Sequence, residues 1–328
     1  MGEPAGIGGE IALKAWAARR ASTPVFFAID DAERLRALAT RFGIATPVVA
    51  IAHPREAASV FARALPVLAP AYPLQAAVTL GAPSSTSAPA VIGAIDQAVA
   101  LAKSGDAGGL VTNPIQKASL MDAGFSFPGH TEYLAFLAGG LDTAMMLAVE
   151  GLRVVPITVH VPMKDVAREL TEQSIVRAGL ITAMALRADF GIQHPRLAVA
   201  ALNPHAGENE HIGDEEARII APAVAHLRRE GVDASGPAPA DTLFHPAARA
   251  KYDAALCMYH DQALIPLKTI DFAGGVNVTL GLPFVRTSPD HGTALDIAAL
   301  GLADPTSLLA ALEMAGAIAQ RRNAGQTP

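Results

Sequence analysis

The sequence is short of cysteine, tryptophan, aromatic rings and charge, and each shortage closes off a class of protein. Cys257 is the single cysteine, so no internal disulfide can form and a disulfide-stapled secreted scaffold is excluded. It sits inside an apolar run, the setting of a buried and unreactive thiol. Aromatic residues make up 5% and charged residues 17% of the 328 positions, and the formal net charge is −6. No basic patch interrupts that balance, which argues against nucleic acid as a partner. No run approaches the ~20 apolar residues of a membrane span, and no cationic stretch at the N-terminus leads into an apolar one. The expected location is the cytoplasm. A Gly-x-Gly-x-x-Gly fingerprint and a phosphate loop ending in Lys-Ser/Thr are also missing.

What is present is an alanine-rich chain, 51% hydrophobic, long enough for one large domain or two ordinary ones. Strand-like runs at 25–29, 107–112, 145–149, 152–159, 196–202, 254–259 and 277–280 alternate with helical spacing at 91–103, 131–138, 171–190, 214–230 and 305–321. The alternation predicts a three-layer α/β/α fold. Residues 74–89, rich in Pro, Ser, Thr and Gly, read as an irregular excursion with room for a short hairpin, and 323–328 as a fraying tail.

Three of the strand-like runs end in a histidine: His160, His205 and His260. Ligands of open α/β sheets bind outside the carboxyl ends of strands, so three imidazoles delivered there point to one metal or catalytic site. Each histidine taken alone is also compatible with an ordinary loop residue. Their contexts add weight. Asn203-Pro204-His205-Ala206-Gly207-Glu208 leads from a strand toward a helix, and Met258-Tyr259-His260-Asp261-Gln262 sets a carboxylate beside the third imidazole. Pro128-Gly129-His130-Thr131-Glu132 places a His and a Thr at a helix entrance, where N–H groups favour an anion. Lys268, Asn277 and Arg286 follow as donors suited to a charged, phosphorylated small molecule. Near the start, Gly2-Glu3-Pro4-Ala5-Gly6-Ile7-Gly8-Gly9-Glu10 is a Gly/Pro loop opening a helix at 11–19, compatible with an anion site or a plain tight turn.

These segments, together with Pro239-Ala240-Asp241-Thr242-Leu243-Phe244 and the run 277–288, closely resemble the 4-hydroxythreonine-4-phosphate dehydrogenase family of pyridoxal phosphate biosynthesis, from Gly2 to about residue 320. The resemblance implies a divalent metal (Zn, Co or Mg) held by His160, His205 and His260 and shared across a homodimer. It implies substrate contacts from His130, Thr131, Lys268, Asn277 and Arg286. It further implies a fold like the isocitrate and isopropylmalate dehydrogenases, two domains with the active site in the cleft between them. One domain would comprise 1–125 plus 262–328 on the cofactor side, the other 126–261 with the metal site and dimer contact. NAD or NADP would lie against Gly6, Gly8, His291, Gly292, Thr293 and Ala294, since His291-Gly292-Thr293-Ala294-Leu295-Asp296-Ile297-Ala298 looks like the adenosine-holding loop of those enzymes; the same segment also reads as a simple helix-capping turn.

The implied reaction is oxidation of 4-phosphohydroxy-L-threonine at C3 to 2-amino-3-oxo-4-phosphooxybutanoate, which decarboxylates to 3-amino-2-oxopropyl phosphate. His205, Asp241 and Asp261 are the candidate catalytic residues, the aspartates orienting ligands or accepting a proton. Alternatives are a related dehydrogenase for phosphothreonate, erythronate phosphate or an aromatic cis-dihydrodiol, and a non-catalytic metal or phosphate-ligand binding protein. The family normally begins about ten residues before this Gly/Pro loop, so a misplaced start codon or a trimmed chain is expected.

Overall fold

The computed structural model describes residues 1–325 and gathers them into two compact units, Met1–Leu141 with Leu282–Gln320, and Asp142–Gly281 with the chain from Arg321. In chain order the strands are β1 (Ala28–Ile29), β2 (Val48–Ile51), β3 (Leu65–Leu68), β4 (Gly109–Val111), β5 (Ala144–Val149), β6 (Leu152–Pro156), β7 (Arg196–Ala200), β8 (Asp233–Ala238), β9 (Ala254–Cys257), β10 (Val276–Leu280) and β11 (Val285–Pro289). The longer helices are α1 (Gly8–Ala17), α2 (Ala32–Phe42), α3 (Ala88–Ser104), α4 (His130–Leu137), α5 (Glu172–Ala188), α6 (Ala221–Arg229), α7 (His260–Ile270) and α8 (Thr306–Ala324). The expected α/β architecture is what forms.

In the first unit β1, β3 and β2 make a parallel sheet in that order, and β4 pairs with β11 in parallel. Leu13 and Trp16 of α1, Leu35 and Leu38 of α2, and Phe61, Leu65 and Val67 form one cluster against this sheet. Helix α2 has clear stop and start signals: the Asp31 carboxylate accepts from the Glu33 and Arg34 amides, and Gly43 closes the far end with φ 63°. Helix α3 packs Val91, Ile95 and Val99 against Leu110, Leu134 and Phe284, which seats β4, α4 and the start of β11 around one core. Each large side chain buried in this way contributes roughly 1.5–3 kcal/mol.

In the second unit the strand order is β10-β5-β6-β9-β7-β8. The pairs β10/β5 and β5/β6 are antiparallel; β6/β9, β9/β7 and β7/β8 are parallel. Leu147, Val154, Ala198, Ala255 and Cys257 face Ala263, Leu264 and Leu267 of α7. Strand β9 is buried at every position, which requires cover on both faces, and α5 packs on β5, β7, β9 and β10 while α6 packs on β8 and α5. Burial pushes the Cys257 thiol well up, so it is the inert core thiol its sequence context implied.

Several elements differ from the sequence expectation. Strands β2, β3, β8 and β11 were not anticipated, nor was α2. Pro66 stands inside β3, Gly236-Pro237 inside β8 and Arg286 inside β11, and each breaks the apolar pattern by which a strand is recognised. The run 254–259 ends as a strand at Cys257, because Tyr259 already caps α7 and His260 is its first helical residue. A turn of π-helix, Glu216–Ile220, precedes α6 within the expected helix. Residues 74–89 hold an antiparallel bridge between Thr79 and Ala82, but Ala88 and Pro89 belong to α3. Helix α8 runs through Ala324, so the tail does not fray at Asn323. Arg322 holds it there by two hydrogen bonds, at 2.6 and 2.9 Å, to the buried Asp189 carboxylate. The remaining expected tail residues, 326–328, lie outside the described residues.

Candidate functional site

The parallel order β6-β9-β7-β8 aligns four carboxyl ends along one edge of the second unit's sheet. From that edge emerge His160 after β6, His260 and Asp261 after β9, His205 after β7 and Asp241 after β8. Residues a hundred positions apart thus become neighbours through strand pairing alone. The rings of His160 and His260 stand 6.2 Å apart and line one cavity with Val159, Val161, Met163, Tyr259 and Asp261. The Asp261 carboxylate lies 2.7 Å from His260 Nδ1, which leaves Nε2 as the free ligating nitrogen. His205 stands apart from this pair in an exposed turn, and among the described residues no three His, Cys, Asp or Glu side chains converge in one chain as a metal cluster.

Helix α7 carries His260 and Lys268 two turns apart, about 12 Å along the axis. The Lys268 ammonium sits 5.4 Å from the Phe272 ring centre. Asn277 in β10 pairs with Leu147, so its side chain shares the sheet face covered by α7, and its Oδ1 is buried without a hydrogen-bond partner among the described residues.

In the first unit, Gly129 has no side chain with which to cap α4, and His130 and Thr131 form its first turn. Arg286, 4% exposed, donates from Nη2 to Thr112 Oγ1 at 2.8 Å. Burial lowers its pKa to about 10, against which the Glu132 carboxylate acts. His130 is half-buried by surface, yet protein crowds its ring. Burial first, then Arg286, the chain's amino group and Lys117, lower its pKa well below the ordinary 6.5. The folded protein therefore keeps His130 neutral where the unfolded chain would protonate it. Stability is then full above pH ~6.5 and declines as pH falls from there toward the lowered folded value. His130→Gln is expected to shrink that acid-side loss, as read by urea unfolding at about pH 7.5 and about pH 5; equal losses in parent and variant contradict it.

The two segments expected to meet a dinucleotide touch each other. Ile7 N donates to Thr293 O at 3.1 Å, and a Cβ on Gly6 would lie 2.7 Å from that same oxygen. Glycine is required at position 6 by this close approach. Gly8, the first residue of α1, accepts from Asn113 Nδ2 through its carbonyl at 3.2 Å. Residues 291–294 do not cap a helix; they form an open segment in which Ala294 adopts φ 45° and His291 Nε2 is buried without a hydrogen-bond partner among the described residues.

Sequence reasoning missed Thr112, Asn113 and Lys117. They follow β4 in the run Thr112-Asn113-Pro114-Ile115-Gln116-Lys117, where Thr112 holds Arg286, Asn113 braces the Gly/Pro loop, and Lys117 lies near the α4 entrance. The signal was available: an Asn-Pro turn directly after an apolar strand, the same signal that marked Asn203-Pro204.

A family model described as pyridoxal phosphate biosynthetic protein PdxA matches residues 21–315. The chain belongs to the PdxA family. A relative from Caulobacter vibrioides named 4-hydroxythreonine-4-phosphate dehydrogenase is 56% identical over 327 residues, covering 98% of this chain and 96% of its own length. One of the same name from Paracoccus denitrificans is 62% identical across 74% of this chain and 77% of its own length. Among solved structures, a 4-hydroxythreonine-4-phosphate dehydrogenase from Klebsiella pneumoniae superposes with a TM-score of 0.89 at 40% identity, covering 98% of this chain and 96% of its own. A terephthalate 1,2-cis-dihydrodiol dehydrogenase from Burkholderia xenovorans superposes less closely, with a TM-score of 0.64 at 28% identity over 96% of each chain. This PdxA member is thus an enzyme of the dehydrogenase class, with the family's role in pyridoxal phosphate biosynthesis. No helix among the described residues is long and apolar enough to cross a membrane.

Proposed function

We propose that this PdxA member oxidises 4-phosphohydroxy-L-threonine at C3 with NAD or NADP and one divalent metal ion. The 2-amino-3-oxo-4-phosphooxybutanoate formed then loses carbon dioxide to give 3-amino-2-oxopropyl phosphate. The observation that carries the reading is the parallel strand order that delivers His160, His260 and His205 to one sheet edge, in a chain whose near relatives bear that enzyme name. The active form is a cytoplasmic homodimer, a reading supported by the His160–His260 pair, which no third ligand joins among the described residues.

The residues present fit a metal. His160, His260 and His205 would hold it, with Asp261 fixing the free nitrogen of His260, and an imidazole set favours zinc or cobalt over magnesium. When bound, the ion supplies Lewis acidity, which makes the alcohol easier to deprotonate and favours negative charge on the ketone oxygen as carbon dioxide leaves. The buried Nε2 of His291, without a partner among the described residues, and the backbone approach at Gly6 fit a dinucleotide, which Gly6, Gly8 and 291–294 would hold and which would supply the hydride acceptor.

The chain's own groups bind and orient the substrate. Arg286 and Lys268 neutralise its phosphate and carboxylate. His130, kept neutral, and Thr131 offer hydrogen bonds without adding charge at the α4 entrance, and Asn277 Oδ1 accepts a hydrogen bond that nothing in the described protein supplies. Asp241 or Asp261 accepts the proton.

The test is NADH formation by the purified protein with zinc, cobalt or magnesium. Phosphothreonate, erythronate phosphate and terephthalate cis-dihydrodiol serve as competing substrates. The buried Arg286 with Lys117 near His130 favours an anionic substrate, a description that fits the phosphorylated candidates and the dicarboxylate diol alike, so relative turnover decides among them. Faster turnover of a competitor moves the assignment to it, and metal binding without turnover of any of them supports a non-catalytic binding protein.

A further inference from the structure

Beneath the three histidines runs a set of buried polar side chains whose hydrogen bonds go to the strand ends themselves. Gln262, 7% exposed and two residues after His260, accepts from Met258 N at 2.7 Å through Oε1 and donates from Nε2 to Ala201 O at 2.7 Å. It therefore ties the chain leaving β9 toward His260 to the chain leaving β7 toward His205. Glu216, 6% exposed, continues the line: its Oε1 accepts from Leu202 N at 2.8 Å and Asn203 N at 2.7 Å, and its Oε2 accepts from Asn203 Nδ2 at 3.0 Å. On the other flank the Thr158 hydroxyl donates to Met258 O at 2.8 Å, two residues before His160.

The turn these groups flank is strained, although it has hydrogen bonds of its own from Ala206 N to Asn203 O at 3.2 Å and from Glu208 N to His205 O at 3.3 Å. His205, Ala206, Glu208, Asn209 and Glu210 all have positive φ, a conformation L residues avoid and keep only where surrounding contacts impose it. Glu216 supplies such contacts on both sides of His205. It anchors Leu202 and Asn203 before the turn, and its Oε2 fills the space beside Gly207 after it, where a Cβ would lie 2.8 Å away. A buried carboxylate taking two backbone N–H groups and one amide is a strong fixed support.

We propose that Gln262 and Glu216 are positioning residues: Gln262 sets the aim of His260 and Glu216 that of His205, each toward the site it completes, and both thereby tune the metal's affinity and coordination geometry. The inference rests on the metal reading of the three histidines. Partners that orient ligands from behind typically contribute 10–100-fold to metal affinity.

The test uses the full chain, cobalt(II) alone as probe, and three variants: Gln262→Met, Glu216→Gln and His205→Ala. The two positioning variants are expected to bind cobalt ~10–100-fold more weakly by chelator competition and to show an altered visible cobalt spectrum, with faster amide exchange at Leu202 and Asn203 in Glu216→Gln and at Met258 in Gln262→Met. His205→Ala is expected to lose cobalt while leaving those amides protected. Parental affinity and spectrum in both positioning variants, with cobalt lost in His205→Ala, would overturn the positioning role alone. Parental cobalt affinity in His205→Ala would remove the metal reading and the inference built on it. Should Gln262→Met fail to fold, Glu216→Gln alone decides, because it exchanges the charged acceptor of both amides for a neutral, weaker one and replaces the oxygen that faces Asn203 and Gly207.

Discussion

His260→Ala is expected to strip the metal and lower turnover at least ~100-fold, more than the 10–100-fold typical of losing a group that merely orients a ligand. The fold should survive. The His260 side chain is 37% exposed, it caps no helix by a side-chain bond, and the core below it rests on Ala263, Leu264 and Leu267 of α7. A substitution at so open a position costs about 0.5 kcal/mol or less. Elemental analysis, circular dichroism and steady-state assay of the same preparation separate the two effects. A folded variant that retains both metal and rate would sink the assignment of this edge as the metal centre.

Arg286→Met should separate activity from stability in the opposite sense. The guanidinium is buried, its pKa is depressed to about 10 by that burial, and Thr112 is the hydrogen-bond partner seen for Nη2. Burying a charge costs on the order of several kcal/mol of desolvation, and the countercharge that acts on Arg286, Glu132, is exposed and keeps its solvation when the guanidinium is removed. The expected result is an unfolding midpoint in urea that stays level or rises. The same variant should lose at least ~100-fold in kcat/KM, since a forked contact to phosphate or carboxylate consists of two charge-assisted bonds of ~1.5–3 kcal/mol each. A stability drop with rate preserved would mean that Arg286 is a structural cation.

Much of this is legible in the sequence, and the reason is locality. Apolar runs ending in Asn-Pro or in His report where the chain leaves a sheet, and Gly129-His130-Thr131 reports a helix entrance, because strand and helix signals are written within a few residues. Strand β11 escaped notice because Arg286, which is among the site candidates, puts a cation where the pattern called for an apolar side chain. Strand β3 escaped for a different reason, since Pro66 is tolerated in a strand that the pattern alone would have rejected.

The sequence by itself determined the α/β class, the strand-end histidines, the Gly/Pro loop and the family. Only the tertiary structure decided that β6, β9 and β7 are parallel neighbours, so that His160 meets His260 while His205 stands off beside them. It alone decided that Gly6 is pressed against Thr293, that Arg286 is sunk beside Thr112, and that Gln262 and Glu216 bind the strand ends from below. Strand adjacency and burial depend on pairings between residues far apart in the chain, and no local period encodes which distant segment will supply the partner.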